Sequence, residues 1–211
     1  MLTETASLAL ATFFATIGPL DIAAVFAVLT RNGSVQHNRM MAIRATLIAT
    51  AILVTFALAG ELLLAALGIS LAALRAAGGI LLLLIGIDMV FGRSSGGTFT
   101  TEEEEQEAMQ KQDISIFPIA TPMIAGPGSM GAAILLMANT EGDVGQQAVV
   151  IASLLAVLLL TGICLLLSSQ ISRLLGITGM QVVSRIMGVL LSALAVQFIF
   201  DGVKQSGIFG S

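Results

Sequence analysis

Apolar residues run along this chain in blocks, separated by short polar stretches. The blocks fall at about 5–30, 39–60, 70–91, 116–139, 147–168 and 181–200. Each reaches the roughly 18 residues that mark a candidate transmembrane helix. Between them lie RNGSVQHN at 31–38, a variable patch opened by Glu61, the long polar stretch 92–113, TEGDVGQ at 140–146, and a connection around Arg173. The pattern predicts six membrane-spanning helices and no strands. The N-terminal stretch MLTETASLALATFFA lacks the positive region of a signal peptide. It therefore reads as the first span.

Two blocks are interrupted. The first holds Gly18-Pro19 near its centre, and the fourth holds Pro122 and Gly126-Pro127-Gly128, flanked by Thr121 and Ser129. A proline inside a helix removes a backbone hydrogen bond and clashes with the preceding turn. Unpaired backbone in hydrocarbon costs several kcal/mol per group, so such a break survives only inside protein or beside a polar cavity. Gly126 follows Gly18 by 108 residues, and Arg185-Ile-Met-Gly188 follows Arg75-Ala-Ala-Gly78 by 110. These paired landmarks predict two repeats of three spans. An odd number per repeat turns the second upside down relative to the first. Residues 1–91 form the first repeat, 92–115 an acidic linker, and 116–211 the inverted second repeat. Paired interruptions in corresponding positions point to a transporter's binding site.

Composition agrees with a membrane class. Hydrophobic residues make up 56% of the 211 and charged residues 10%, against roughly 25% charged in soluble domains. Mean hydropathy is +1.00. The net charge of −4 says little about partners, because Glu102 to Glu105 concentrate the acid in one linker. Thr100 or Thr101 before that run looks like an N-cap with acids in the first turn. No basic face for nucleic acid is present. Cys164 is the only cysteine, so no internal disulfide forms. His37 has no ligand partners in sequence, and no metal site or cofactor is expected. Seven of the nine basic residues (Arg31, Arg39, Arg44, Arg93, Lys111, Arg173, Arg185) fall on one side. The excess of Lys and Arg in cytoplasmic loops places those loops inside and both termini outside.

The breaks suggest a chemistry. Pro19 and Pro127 suit the first turn of a new helix, where the missing N–H would be unpaired anyway. Each second half then starts near the membrane midplane, and its free N–H groups and positive dipole end suit an anion such as a carboxylate. The carbonyls ending each first half suit an ammonium group, Na⁺ or a proton carrier. The candidate binding residues are Thr16, Gly18, Pro19, Asp21, Thr121, Pro122, Gly126, Pro127, Gly128 and Ser129. Asp21 is ionisable within an apolar span, which suggests function; it equally suits the cap of its own half-helix. Thr121 and Ser129 either touch substrate or satisfy freed backbone. Arg75, Arg185 and Asp88 are candidates for gating or structural roles, with interface snorkelling the alternative for the arginines and a wet helix end for Asp88. Asn139 and Gln197 are candidates for hydrogen bonds between helices. The methionines read as core filling.

These residues carry a resemblance. GPL at 18–20, P-I-A-x-P-x-x-x-G-P-G at 118–128, RAAGGILLLLIGIDM at 75–89, and RIMG with AVQFIFDG at 185–188 and 195–202 are similar to the MarC family of bacterial and archaeal inner-membrane proteins. That family includes small neutral amino-acid transporters and is grouped with LysE-type exporters. Its pattern places an acid directly before the helix-one proline, where this chain has Gly18, with Asp21 after it. The resemblance implies secondary transport of glycine-, alanine- or serine-like zwitterions in the inner membrane, coupled to Na⁺ or H⁺ or run as export. It leaves homo-oligomerisation open. The alternatives are a small-solute or ion channel and drug or metabolite efflux. An enzyme is not expected, since the sequence offers no nucleophile–base set and no Walker loop.

Overall fold

In the computed structural model, residues 2–31, 33–92 and 113–207 are described. The linker expectations, including the N-cap at Thr100 or Thr101, lie outside these residues. The described chain is helical throughout: α1 (Leu2–Ile17), α2 (Pro19–Leu29), α3 (Val35–Ala66), α4 (Leu71–Phe91), α5 (Ser115–Ile124), α6 (Pro127–Ala138), α7 (Val144–Leu166) and α8 (Ser168–Gln205). Five spans are long and apolar enough to cross a bilayer: Leu2–Leu29, Val35–Ala66, Leu71–Phe91, Val144–Leu166 and Ser184–Gln205. A sixth forms if α5 and α6, which meet at a 52° bend, are one span.

Local chemistry sets the helix ends. Ser34 and Ser70 accept the N–H of His37 and Ala73 at the starts of α3 and α4, and Asp143 accepts that of Gln146 at the start of α7. These are ordinary N-caps, each satisfying one orphan donor. Gly92 ends α4 in the left-handed conformation at φ 62°, a geometry that glycine adopts without a Cβ penalty.

Three boundaries differ from the sequence reading. Helix α3 runs on to Ala66, so the patch opened by Glu61 is helical, since Leu62, Leu63, Leu64, Ala65 and Ala66 are good helix formers. The expected loop between spans five and six is absent: Leu167 alone separates α7 from α8, and 168–183 is helical. No proline lies in that stretch, and its Ser, Gln and Arg content is compatible with a helix outside the hydrocarbon. The first part of span four is not an α-helix. In α5, Phe117 and Thr121 are extended (φ −126°, ψ 125° and φ −135°, ψ 125°). Each precedes a proline, whose ring disfavours the α region for the residue before it. The backbone closes wider turns instead, Ile119 N–H to Ile114 O at 3.3 Å and Ala125 N–H to Ala120 O at 2.9 Å.

The buried apolar side chains of the described residues form two clusters. The larger core gathers Phe13, Ile17, Ile22, Leu53, Ile119, Met123, Ile124, Ala133 and Leu154, drawn from α1, α2, α3, α5, α6 and α7. The smaller core is built on α4 and α8, from Leu82, Ile85, Met89, Leu191, Ala195 and Phe198, and takes in Ala15 of α1 and Leu135 of α6. Helices α4 and α8 run antiparallel in close backbone contact. A methyl group on Gly79 would lie 2.7 Å from Ala195 O, and one on Gly188 would lie 2.7 Å from Gly86 O. Small residues let membrane helices approach this closely where lipid supplies no hydrophobic drive.

The ends of the bundle are tied by polar contacts. At one, Arg75 at the start of α4 donates to Asn139 after α6 and, at 2.6 Å, to Gln205 at the end of α8. Thr5 donates to Gln146 of α7 beside them. At the other, Asn38 donates to Thr30 O, and Arg44 pairs with Asp113 at 3.2 Å. The Ser115 hydroxyl and backbone N–H, with Arg44 beside them, hold the Asp113 carboxyl below its usual value. A depressed carboxyl contributes stability above its unfolded pKa, and that contribution is lost as pH falls through the folded value. The melting temperature of wild type should therefore exceed that of Asp113→Asn at neutral pH. The gap should close as pH falls below about 4, the range of an unperturbed carboxyl. Thermal unfolding of both proteins across the acid range measures it. The pair is exposed, so the gap is small.

Candidate functional site

Both prolines that open a helix follow a glycine. Gly18 separates α1 from α2 at φ 62°, ψ 61°, and Pro19 takes the first position of α2. Gly126 separates α5 from α6, and Pro127 takes the first position of α6. First-turn N–H groups have no carbonyl one turn earlier to bond. In α2 these belong to Leu20 and Asp21, and in α6 to Gly128 and Ser129.

The third residue of each new helix folds back onto its start. Ser129, fully buried, accepts the Gly126 N–H at 3.0 Å and donates to Ile124 O at 2.7 Å, with Gly126 O at 3.1 Å. One hydroxyl thus joins both sides of the break. Asp21 holds the matching place in α2, and a methyl group on Gly18 would lie 3.3 Å from its carboxylate oxygen. The same carboxylate faces Ser184 of α8. The structure places Ser129 as a satisfier of freed backbone and Asp21 at the start of its half-helix. Removing the Ser129 hydroxyl strands a buried donor and a buried acceptor, a loss of about 1–3 kcal/mol. Ser129→Ala should unfold at a correspondingly lower denaturant concentration, and Ser129→Thr should recover part of the loss.

The remaining candidates divide by position. Thr16 is buried and donates to Thr12 O at 2.8 Å, within its own helix. Thr121 and Pro122 are half-buried in α5. The Pro122 carbonyl sits so close to Gly126 that any Cβ there would collide with it. Pro19 is buried and Pro127 exposed. Arg75 lies far from the breaks, at the tied end of the bundle. Arg185 is exposed, and its guanidinium lies near Gly92 at the end of α4. The Asp88 carbonyl accepts the capping Gly92 N–H. Asn139 does bond between helices, but Gln197 does not: it donates to Asp201 of its own helix at 2.9 Å. The two lie one turn apart, within easy reach of each other.

The two breaks are brought to one strip of α4. Gly128 faces Ile85, whose Cδ1 would lie 2.7 Å from a methyl group there, and Leu82, at 3.5 Å. Gly18, Pro19 and Asp21 line a cavity of about 10 Å³ together with Phe14, Met89 and Met187. Ile85 and Met89 are one turn apart on α4, roughly 6 Å along its axis. The breaks therefore lie in the seam between the larger core and the α4–α8 pair. Sequence reasoning missed Ile85, Met89, Met187 and Ser184. The methionines read as filling, and only the fold shows what they fill. It also missed Thr12, whose buried hydroxyl has no partner among the described residues. The helical spacing of Thr5, Ala9, Thr12 and Thr16 was its one visible signal.

A family model described as MarC family integral membrane protein matches residues 4–206. A UPF0056 membrane protein of Methanocaldococcus jannaschii is 38% identical over 197 residues, covering 93% of this chain and 95% of that protein. UPF0056 membrane proteins of Archaeoglobus fulgidus and Bacillus subtilis are 32% and 33% identical, covering 92% and 90% of this chain and 90% of each relative. No solved structure matches the chain.

Proposed function

The chain belongs to the MarC family of integral membrane proteins, and from that premise we propose that it is a secondary transporter of small neutral amino acids such as glycine, alanine or serine. The observation that carries the reading is the pair of proline-started half-helices, α2 and α6, whose N-terminal turns lie against one strip of α4. Such turns offer N–H groups and a positive dipole end to a carboxylate, and the carbonyls ending α1 and α5 suit an ammonium group or a coupling Na⁺ or H⁺. Paired donors and acceptors of this kind suit a small zwitterion better than a bulky apolar drug. A free passage is not present at Gly18, where the cavity of about 10 Å³ is at the lower limit for one water. Substrate recognition by Thr16, Gly18, Asp21, Thr121, Gly126, Gly128 and Ser129 is part of this proposal.

An inverted repeat accounts for the packing of α4 on α8. Under the 110-residue offset, Arg75 corresponds to Arg185 and Gly92 to Gly202. A methyl group on Gly202 would lie 3.1 Å from Arg75 Cβ, and one on Gly92 would lie 3.7 Å from the Arg185 guanidinium. Each arginine of the pair thus meets the glycine that matches its counterpart's. Gly18 and Gly126, and the caps Ser34 and Asp143, keep nearly the same offset. Two matched halves related by a two-fold axis in the membrane plane would give these reciprocal contacts. In this reading the end carrying Arg44 and Asp113 faces the cytoplasm of a bacterial or archaeal cell, and both termini lie outside.

The test is transport by the purified protein in liposomes. Uptake or counterflow of radiolabelled alanine should depend on an imposed Na⁺ or H⁺ gradient, or on alanine inside the vesicle, and should saturate. No gradient- or exchange-dependent flux across the twenty amino acids would defeat the reading. Raised melting temperature with amino acids present gives an independent check, because a ligand that binds only the folded state stabilises it.

A further inference from the structure

The α4 side chains in the seam have no role in the function proposed above. We propose that Ile85 and Met89 are a movable size filter over the two helix N-termini, closed in this structure. The inference rests on the transport reading for its substrate but not for its geometry.

Ile85 lies directly on Gly128, in the first turn of α6. Met89 and Met187 close the α2 N-terminus down to about 10 Å³. In this proposal a carboxylate held by either turn has one of these side chains as its neighbour. Both Ile85 and Met89 belong to the smaller core built on α4 and α8, which also takes in Ala15 and Leu135, so a shift of that pair of helices would carry both side chains together. Methionine has three rotatable bonds and adapts its shape to what it covers. Isoleucine is stiff at χ1, so Ile85 sets a firmer limit. The filter accepts hydrogen, methyl or hydroxymethyl substituents and rejects branched ones by volume, since a hydrophobic contact discriminates by size and not by hydrogen bonding.

Thiol chemistry tests this directly. In a Cys164→Ala background, which removes the only native thiol, single cysteines are placed as Ile85→Cys, Met89→Cys and Leu84→Cys. Leu84 is exposed on the outside of the same helix. The reconstituted variants are treated with a small, charged, water-soluble methanethiosulfonate. Expected are reaction rates at positions 85 and 89 several-fold above position 84, slowed by alanine but not by leucine. Equal rates at all three positions would overturn the filter, even if wild type transports alanine. Fast reaction that no amino acid slows would support a water-reached gate here while overturning the amino-acid reading. Ile85→Val, a mild truncation, guards against misfolding of the cysteine variants. It should admit larger neutral amino acids as competitors of alanine flux or, where wild type carries no flux, raise the thiol reactivity of Met89→Cys. If it does neither, the filter assignment is wrong.

Discussion

Gly126→Ala should abolish the amino-acid transport proposed above and lower the melting temperature, while Gly131→Ala, five residues further on and inside α6, should leave transport intact and raise stability slightly. The two glycines differ in what a methyl group would meet. At Gly126 it would strike the Pro122 carbonyl, and at Gly131 it would meet nothing within 4 Å. The Pro122 oxygen is backbone and cannot swing aside as a side chain would. The end of α5 and the start of α6 must then separate, and overpacking of this kind costs about 1–3 kcal/mol. The displacement falls on the turn that carries the Gly128 and Ser129 N–H groups, and a misplacement of about 1 Å at a reacting or binding centre can cost on the order of 10²-fold. Gly131→Ala instead removes backbone freedom from the unfolded chain and gains about 0.5–1 kcal/mol. Thermal unfolding and liposome flux on the two variants separate the effects. Wild-type flux from Gly126→Ala would take the α5–α6 junction out of the binding site.

Much of this molecule was legible because lipid enforces length. A span must carry an unbroken apolar run, so α3, α4 and α7 stand out in the sequence to within a few residues at most of their ends. The prolines within spans stand out for a related reason, since the backbone groups they free in a bilayer must be satisfied by surrounding protein. The pairing of α4 with α8 was foreshadowed by Arg75-Ala-Ala-Gly78 and Arg185-Ile-Met-Gly188, but only as a repeat. That the two helices face each other is a fact of the third dimension. Segment α5 was misread because its hydrophobicity matches a helix, while the restriction that Pro118 and Pro122 impose on Phe117 and Thr121 was given too little weight. The start of α8 was misread in the other direction. Ser168, Gln170 and Arg173 suggested a loop, yet polar residues form helices readily once the chain has left hydrocarbon. The side chains filling the seam could not be read at all. Ile85 and Met89 look like any other apolar residue of a span, and their meaning comes from lying beside two helix starts distant in sequence.

Arg75→Ala should release the end of the bundle where both termini lie. The guanidinium donates through Nε and Nη2 to Asn139 and through Nη1 to Gln205, joining the start of α4 to the ends of α6 and α8. Both acceptors are neutral amides, so these are hydrogen bonds from a charged donor rather than ion pairs, a type that contributes about 1.5–3 kcal/mol. The contact to Gln205 is exposed, and most of the loss should come from Asn139. Arg75→Lys keeps the charge but lacks the planar fork that spans two acceptors, so it should recover little. A double-mutant cycle of Arg75→Ala with Asn139→Ala isolates the pair, and residues in direct contact typically show about 0.5–3 kcal/mol of coupling. The bond to Asn139 crosses the seam between the α4–α8 pair and the larger core. In the gated reading proposed above, opening that end breaks this bond, so its loss should shift the equilibrium toward the opened conformation by at most the same free energy, at about 1.4 kcal/mol for each factor of ten. Faster thiol labelling of Met89→Cys in the Arg75→Ala background would register that shift. A coupling energy near zero with unchanged labelling would mean that other contacts hold this end shut.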